Sequence, residues 1–203
     1  MVVVARVYIV RHGETEENKQ GIMQGQLDTV LNAAGEMQAR HTARALEEVP
    51  FELAYSSDLS RAVKTAEIIL EKHPGVRLEK HEALRERGSG QHMGDWQGRS
   101  VYNRGEAPEN MEAVVDFMTR GVWWWKEVVV RLAQSIGGRG MQQSPAHPEC
   151  AVRGWREVDA VLQRVHHGGR GRGEGKGTLL RYADTTHLKG DHLVERNADV
   201  QEG

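Results

Sequence analysis

The chain has 203 residues, enough for one ordinary domain with a modest core, since 38% of the residues are hydrophobic. Its 27 Lys and Arg against 29 Asp and Glu give a formal net charge of −2, which provides no electrostatic case for nucleic acid or an anionic membrane as a partner. The single cysteine, Cys150, excludes an internal disulfide and fits a reducing, cytoplasmic location.

The first half of the chain alternates apolar strand patterns with helix patterns. The run 2–10 is rich in β-branched residues, contains Arg6, and is too short for a transmembrane helix, so it predicts a buried strand. Asn32 is placed to cap a helix, and the polar stretch 13–29 predicts a loop. The patterns predict strands at 2–10, 51–56 and 76–80 and helices at 32–49 and 60–72. This β-α-β-α-β order indicates a parallel or mixed sheet covered by helices.

The second half is less regular. Apolar residues three or four apart predict one long amphipathic helix over 111–136, interrupted near Gly121. Because consecutive helical residues point in different directions, at least one ring of the Trp123-Trp124-Trp125 run should lie outside the core. Ten of the 23 glycines lie within 137–177, and this Gly/Arg-rich segment is therefore predicted to be irregular. A solvated loop is favoured over an RNA contact, because the segment lacks the interleaved aromatic residues on which bases stack. The remaining predictions are a surface insertion at 88–108, a short strand at 178–182 and a polar tail at 190–203.

Residues suited to phosphate chemistry follow the predicted strands. Arg11, His12 and Gly13 come directly after the first strand, Arg61 lies at the start of the helix after the second, and Glu86 follows the third. Ligands of α/β sheets bind beyond the carboxyl ends of the strands. Arginine matches two phosphate oxygens, histidine is a nucleophile, and a carboxyl group transfers protons.

Four ordered motifs cover the chain from Val7 to about Gly98. They are Arg11-His12-Gly13-Glu14-Thr15 with Asn18, Gln24-Gly25-Gln26-Leu27-Asp28-Thr29, Tyr55-Ser56-Ser57-Asp58-Leu59 with Arg61 and Thr65-Ala66, and Leu84-Arg85-Glu86. With these motifs the sequence resembles the histidine phosphatase superfamily, and most of all its small fructose-2,6-bisphosphatase-like phosphatases. The resemblance implies a phosphoglycerate mutase-like fold, a three-layer α/β/α sandwich with a mostly parallel sheet, as a single domain over 1–203.

The resemblance also implies roles for particular residues. His12 would accept the phosphoryl group, Arg11, Arg61 and His167 would hold its oxygens, and Glu86 would protonate the leaving alcohol and then activate water. Further positions that match substrate or phosphate contacts are Asn18, Gln24 and Gly25. Two arginines and a second histidine would neutralise the phosphoryl charge, so neither a metal ion nor a cofactor is expected.

The last motif departs from the family pattern. His166 stands where the family has a serine before the second histidine, so either His166 or His167 could serve. Gln163 and Arg164 suit a buried central strand poorly, and we therefore expect a loop there, a shortened or irregular C-terminal part and an incomplete phosphate clamp.

Three functions fit these observations. The first is hydrolysis of a small phosphorylated metabolite, a sugar phosphate or bisphosphate, through phosphohistidine. The second is a phosphoglycerate mutase, which returns the phosphoryl group to the substrate. The third is a catalytically impaired phosphate-binding or interaction protein. The only partner expected is a small phosphorylated substrate, and the sequence carries no indication of the oligomeric state.

Overall fold

The computed structural model describes residues 5–90, 110–132 and the strand at 160–165. The elements in chain order are β1 (Ala5–Val10), α1 (Glu16–Gln20), α2 (Ala33–Leu46), β2 (Leu53–Ser56), α3 (Ser60–Leu70), β3 (Leu78–Lys80), a 3-10 turn (Glu82–Leu84), α4 (Val114–Trp124), a π-helical turn (Trp125–Val130) and β4 (Ala160–Val165). Among these residues no helix has both the length and the apolarity to cross a membrane.

The predicted strands and helices of the first half are confirmed, and within the described residues their ends differ from the prediction by at most three residues. Asn32 caps α2, and its side-chain oxygen accepts the N–H of Gly35 at 2.8 Å. The predicted loop at 13–29 was wrong in one place, because it contains α1. That helix has only five residues, but Thr15 and Asn18 form a reciprocal capping box at its start and Gly21 ends it in a left-handed conformation.

The sheet has the strand order β1-β4-β2-β3. β4 pairs antiparallel with both β1 and β2, and β2 pairs parallel with β3, so β1, β2 and β3 all point the same way. The loop expected around Gln163 and Arg164 was wrong, since both residues belong to the central strand β4. A physical reason is that the main chain of β4 pairs with strands on both sides, and those main-chain groups would otherwise need other partners.

The register places three strand ends together. Val10 and Ser56 both lie opposite Ala160, and Ser56 also lies opposite Lys80. The carboxyl ends of β1, β2 and β3 therefore meet at one edge of the sheet. Val165 lies opposite Ala5, so β4 ends at the other edge.

Apolar residues form two clusters, one on each face of the sheet. Ala54 belongs to one cluster and Tyr55 to the other, since successive side chains of a strand point to opposite faces. The first cluster joins β2 to α2 and α3 through Ala43, Phe51, Ala54 and Ile69. The second joins β2 to the 3-10 turn and α4 through Tyr55, Leu84, Trp124 and Val129. This arrangement gives the expected helix–sheet–helix layers.

The tryptophan run divides between core and surface, as predicted. Trp124 is fully buried and packs edge-on against Tyr55 at 5.4 Å, whereas Trp123 is 58% exposed. The change in helix geometry comes at Trp125, where the α-helix becomes a π-helical turn, and the interruption predicted at Gly121 was wrong. The predictions for 178–182 and for the tail lie outside the described residues, as do those for most of 88–108 and of 137–177.

Candidate active site

His12 lies in the loop that leaves β1 at the shared edge of strand ends, and its side chain is nearly buried. Its Nδ1 is 2.6 Å from the carbonyl oxygen of Gly13. A carbonyl oxygen only accepts hydrogen bonds, so Nδ1 carries the proton and Nε2 carries the lone pair in the neutral ring. This contact fixes both the ring orientation and the nitrogen that could act as a nucleophile.

Gly13 anchors the His12 loop to the two helices on one face of the sheet. Its N–H donates to Thr65 Oγ1 at 3.0 Å, and that hydroxyl donates to the carbonyl of Arg61 at 2.9 Å. A Cβ at Gly13 would lie 2.3 Å from the carbonyl oxygen of Gly35, so only glycine permits this approach of the loop to α2. The loop of His12 is therefore tied to the start of α3.

Arg61 is fully buried in the first turn of α3, and its guanidinium contacts two loops. Nη1 donates to the carbonyl of Leu27 at 2.8 Å, and Nη2 donates to the carbonyl of Gly25 at 2.8 Å. Nη2 also lies 3.0 Å from Glu86 Oε2. Among the described residues, Arg61 Nε has no hydrogen-bond acceptor.

Glu86 follows the 3-10 turn after β3, and its side chain is 15% exposed. The carboxylate faces Arg61, while the main-chain carbonyl accepts hydrogen bonds from Gln26 Nε2 at 3.2 Å and Arg120 Nη2 at 2.9 Å. The nearby guanidinium favours the ionised carboxylate. In the free protein Glu86 is therefore an anion held by Arg61.

The predicted substrate contacts are both buried between β1 and α2, with Asn18 in α1 and Gln24 in the loop that follows it. Asn18 Oδ1 accepts the N–H of Thr15 at 3.2 Å, and Gln24 Oε1 accepts the hydroxyls of Thr15, at 3.0 Å, and Thr29. Their amide oxygens thus organise the loop itself. Gly25 has φ +51° and presents its carbonyl to Arg61, which orders the loop beside the site.

Two acidic side chains brace the loops around Arg61. Asp28 accepts the N–H and the hydroxyl of Ser60 at 2.6 and 3.0 Å, which caps the start of α3 from another loop. Asp58 binds Arg85 through two hydrogen bonds, one of them 2.7 Å from Nε to Oδ1. This contact lowers the pKa of Asp58 and raises that of Arg85, so both stay charged.

The structure brings His12, Arg61 and Glu86 to one edge of the sheet, with Arg11 directly before His12 and partly exposed. His166 and His167 lie outside the described residues, and the choice between them stays a prediction. Val165, which directly precedes them, is at the opposite edge. Within the described parts of the chain, no three His, Cys, Asp or Glu side chains form a cluster suited to a metal ion.

Sequence reasoning missed three residues that shape the site: Gln26, Glu112 and Arg120. Each contacts the loop around Glu86 from 24 to 60 positions away, so no local spacing reveals the contact. Glu112 and Arg120 both lie in the predicted helix 111–136, but they are eight positions apart, and helical ion pairs are expected only at three or four.

Residues 7–136 match the family model of the histidine phosphatase superfamily (branch 1), which covers more than half of the chain. The chain belongs to this superfamily. The ordered motifs and the phosphoglycerate mutase-like α/β fold predicted from them agree with this assignment.

Relatives and solved structures support the same family. A probable phosphatase of Schizosaccharomyces pombe is 31% identical over 63% of this chain and 62% of its own length. The fructose-2,6-bisphosphatase TIGAR B of Danio rerio is 33% identical over 71% of this chain and 60% of its own length. The structure of a mycobacterial glucosyl-3-phosphoglycerate phosphatase complexed with VO3 is 32% identical, with a TM-score of 0.52 over 66% of each chain. The chain thus spans less than two thirds of the length of both of these curated relatives.

Proposed function

We propose that this protein is a phosphatase that hydrolyses a small phosphorylated metabolite through a phosphohistidine on His12. The observation that carries the proposal is the Nδ1 contact of His12 with the Gly13 carbonyl, which leaves Nε2 as the basic nitrogen. The family, and relatives whose names describe phosphatases, support it. The proposed substrate is a sugar phosphate or bisphosphate, or a phosphorylated glycerate derivative.

The first step transfers the phosphoryl group to His12. The Nε2 lone pair attacks phosphorus, a P–N bond forms, and the P–O bond to the leaving alcohol breaks. The guanidinium groups of Arg11 and Arg61 balance the negative charge on the phosphoryl oxygens. We expect this charge balance to make a metal ion unnecessary.

Glu86 supplies the proton for that step. In the free protein Arg61 holds it as a carboxylate. A bound phosphate competes for the same guanidinium and adds negative charge beside Glu86, so the carboxyl group takes up a proton from solvent. It then donates this proton to the alcohol oxygen as the P–O bond breaks.

The second step releases inorganic phosphate. Glu86, now ionised, accepts a proton from water while the water oxygen attacks phosphorus. The P–N bond breaks, its electron pair returns to His12 Nε2, and phosphate leaves. The same groups thus serve both steps, and each is ready for the next cycle.

An assay of phosphate release tests the proposal. The protein is incubated with p-nitrophenyl phosphate and then with a panel of sugar phosphates and phosphoglycerates, in EDTA, and inorganic phosphate is measured. We expect release that His12→Ala abolishes and that His41→Ala, a matched histidine change on α2, preserves. A product in which the phosphoryl group has moved to another substrate carbon would instead identify a mutase, and binding without turnover would identify an impaired phosphate-binding protein.

A further inference from the structure

Arg120, in the middle of α4, is bound to the segment that carries Glu86. Its Nη1 donates to the carbonyl of Ala83 at 2.8 Å, and its Nη2 donates to the carbonyl of Glu86 at 2.9 Å. The same guanidinium forms a bidentate pair with Glu112, with Nε–Oε1 at 2.6 Å and Nη2–Oε2 at 2.9 Å. One side chain therefore contacts both ends of the segment 83–86.

Glu112 extends this attachment beyond Glu86. Its Oε2 accepts the N–H of Gly88 at 2.9 Å, its own N–H donates to the carbonyl of Gly88 at 2.9 Å, and its carbonyl accepts Arg87 Nε at 2.7 Å. Burial alone would raise the pKa of Glu112, but the hydrogen bonds from Arg120 and Gly88 outweigh it and lower that pKa. The pair is therefore charged at neutral pH.

Glu86 is consequently held at both its main chain and its side chain. The carbonyl oxygen accepts two donors, Gln26 and Arg120, which matches the two lone pairs of a carbonyl. The carboxylate is held by Arg61. Only Arg120 among these contacts comes from the helix layer on the α4 face, and its bonds to Ala83 and Glu86 limit movement of the loop across that face.

We propose that Arg120, oriented by Glu112, is a positioning residue for the proton transfer by Glu86. This inference rests on the proposed phosphatase function. Proton transfer requires the carboxyl group within hydrogen-bond reach of the leaving oxygen, and a misplacement near 1 Å can reduce a rate by about a hundredfold. Arg120 maintains that distance by fixing the main chain on which Glu86 is carried.

A purely structural role would make a different prediction. If Arg120 only attached α4 to the domain, its loss would affect stability and would change turnover of all substrates by the same factor. A positioning role acts on proton donation in the first step, to which kcat/KM responds, so it lowers kcat/KM far more for substrates with poor leaving groups than for p-nitrophenyl phosphate, whose leaving group needs little help.

The test compares Arg120→Gln with Arg131→Gln. Arg131 lies farther along the same continuous helix, is exposed, and pairs with Glu127 at 2.8 Å, so its variant makes the same charge change away from Glu86. For Arg120→Gln we expect kcat/KM on an alkyl phosphate to fall by about ten- to a hundredfold and kcat/KM on p-nitrophenyl phosphate by less than about threefold. Arg131→Gln should leave both unchanged. Equal losses on the two substrates for Arg120→Gln would overturn the proposal.

A second variant and a second measurement keep the proposal testable. Should Arg120→Gln fail to fold, Glu112→Gln retains Arg120 and should change the ratio of the two rates in the same direction by a smaller factor; an unchanged ratio would overturn the proposal. Amide hydrogen exchange gives a readout that needs no activity: we expect about tenfold faster exchange in 83–88 for Arg120→Gln than for the wild type. If the wild type shows no turnover but Arg120→Gln still exchanges faster, the proposed function is refuted and the attachment of Arg120 to the segment 83–88 is retained. Unchanged exchange in Arg120→Gln would refute that attachment.

Discussion

Arg61 Nη2 lies 3.0 Å from Glu86 Oε2, and this contact joins the first turn of α3 to the loop after β3. The same guanidinium also holds the carbonyls of Gly25 and Leu27. A residue with this many protein partners is already oriented before any ligand binds. Phosphate binding would therefore exchange a carboxylate partner for a phosphoryl oxygen, without the need to order a mobile side chain.

The first prediction concerns Glu86→Gln, which keeps the shape of the side chain and removes its proton. We expect kcat/KM on an alkyl phosphate to fall by roughly a hundredfold or more, and kcat/KM on p-nitrophenyl phosphate to fall much less, because nitrophenolate leaves in the first step without a proton. Steady-state kinetics on the two substrates measures the difference. Equal losses would mean that Glu86 orders the site but donates no proton.

Thr65 provides a test of how the His12 loop is held. Thr65→Val removes the hydroxyl that accepts the Gly13 N–H, and a buried N–H without a partner destabilises a protein by about 1–3 kcal/mol. We expect that loss in urea unfolding, together with lower phosphatase activity. Thr65→Ser keeps the hydroxyl and is the matched control. Equal behaviour of the two variants would show that the hydrogen bond has no role.

The close approach of α2 to the same loop leads to a third prediction. A Cβ at Gly35 would lie 2.0 Å from the carbonyl oxygen of Glu14, so Gly35→Ala must displace main chain and should destabilise the fold by about 1–3 kcal/mol or more. In the control Gly88→Ala, the nearest atom to the new Cβ is 3.4 Å away, and little change is expected. Thermal unfolding measures the stability of both variants. A Gly35→Ala variant as stable as the wild type would contradict the close packing of α2 against the loop.

His73 predicts a pH dependence of stability. Its ring packs edge-on against Phe51 at 4.8 Å, and burial lowers its pKa from the ordinary 6.5, although the Glu47 carboxylate opposes this shift. Because the unfolded chain binds the proton more readily, the stabilisation is complete above pH 6.5 and is lost as the pH falls below that value toward the folded pKa.

The variant His73→Leu isolates this effect. Urea unfolding at about pH 7.5 and about pH 5.5 should show a larger loss of unfolding free energy in the wild type than in the variant. The other ionisable groups remain in both proteins and cancel in the comparison. Equal losses would show that His73 titrates as an ordinary exposed histidine.

Much of the fold from β1 to β3 could be predicted, because the local sequence there indicates where strands and helices begin and end. A β-branched run marks β1, Asn32 marks the start of α2, and the residues after each strand mark one edge of the sheet. The parallel direction of β1, β2 and β3 then brings His12, Arg61 and Glu86 to that edge. The site therefore follows from motif order and strand direction.

Other features depend on tertiary contacts that local patterns do not contain. β4 forms in spite of Gln163 and Arg164 because its main chain pairs on both sides, and the direction of that pairing is not encoded in the strand's own residues. The attachment of Glu86 to Arg120 joins positions 34 residues apart. The helix α1 has only five residues, too few to show the apolar spacing of a helix, so only its capping box could have indicated it.

Trapping of the phosphorylated intermediate shows whether His12 carries the phosphoryl group. The protein is mixed with 32P-labelled substrate and quenched in base or in acid. We expect a label that survives base, is lost in acid, maps to the peptide containing His12, and is absent in His12→Ala but present in His41→Ala. A label that survives acid, or that persists in His12→Ala, would contradict it.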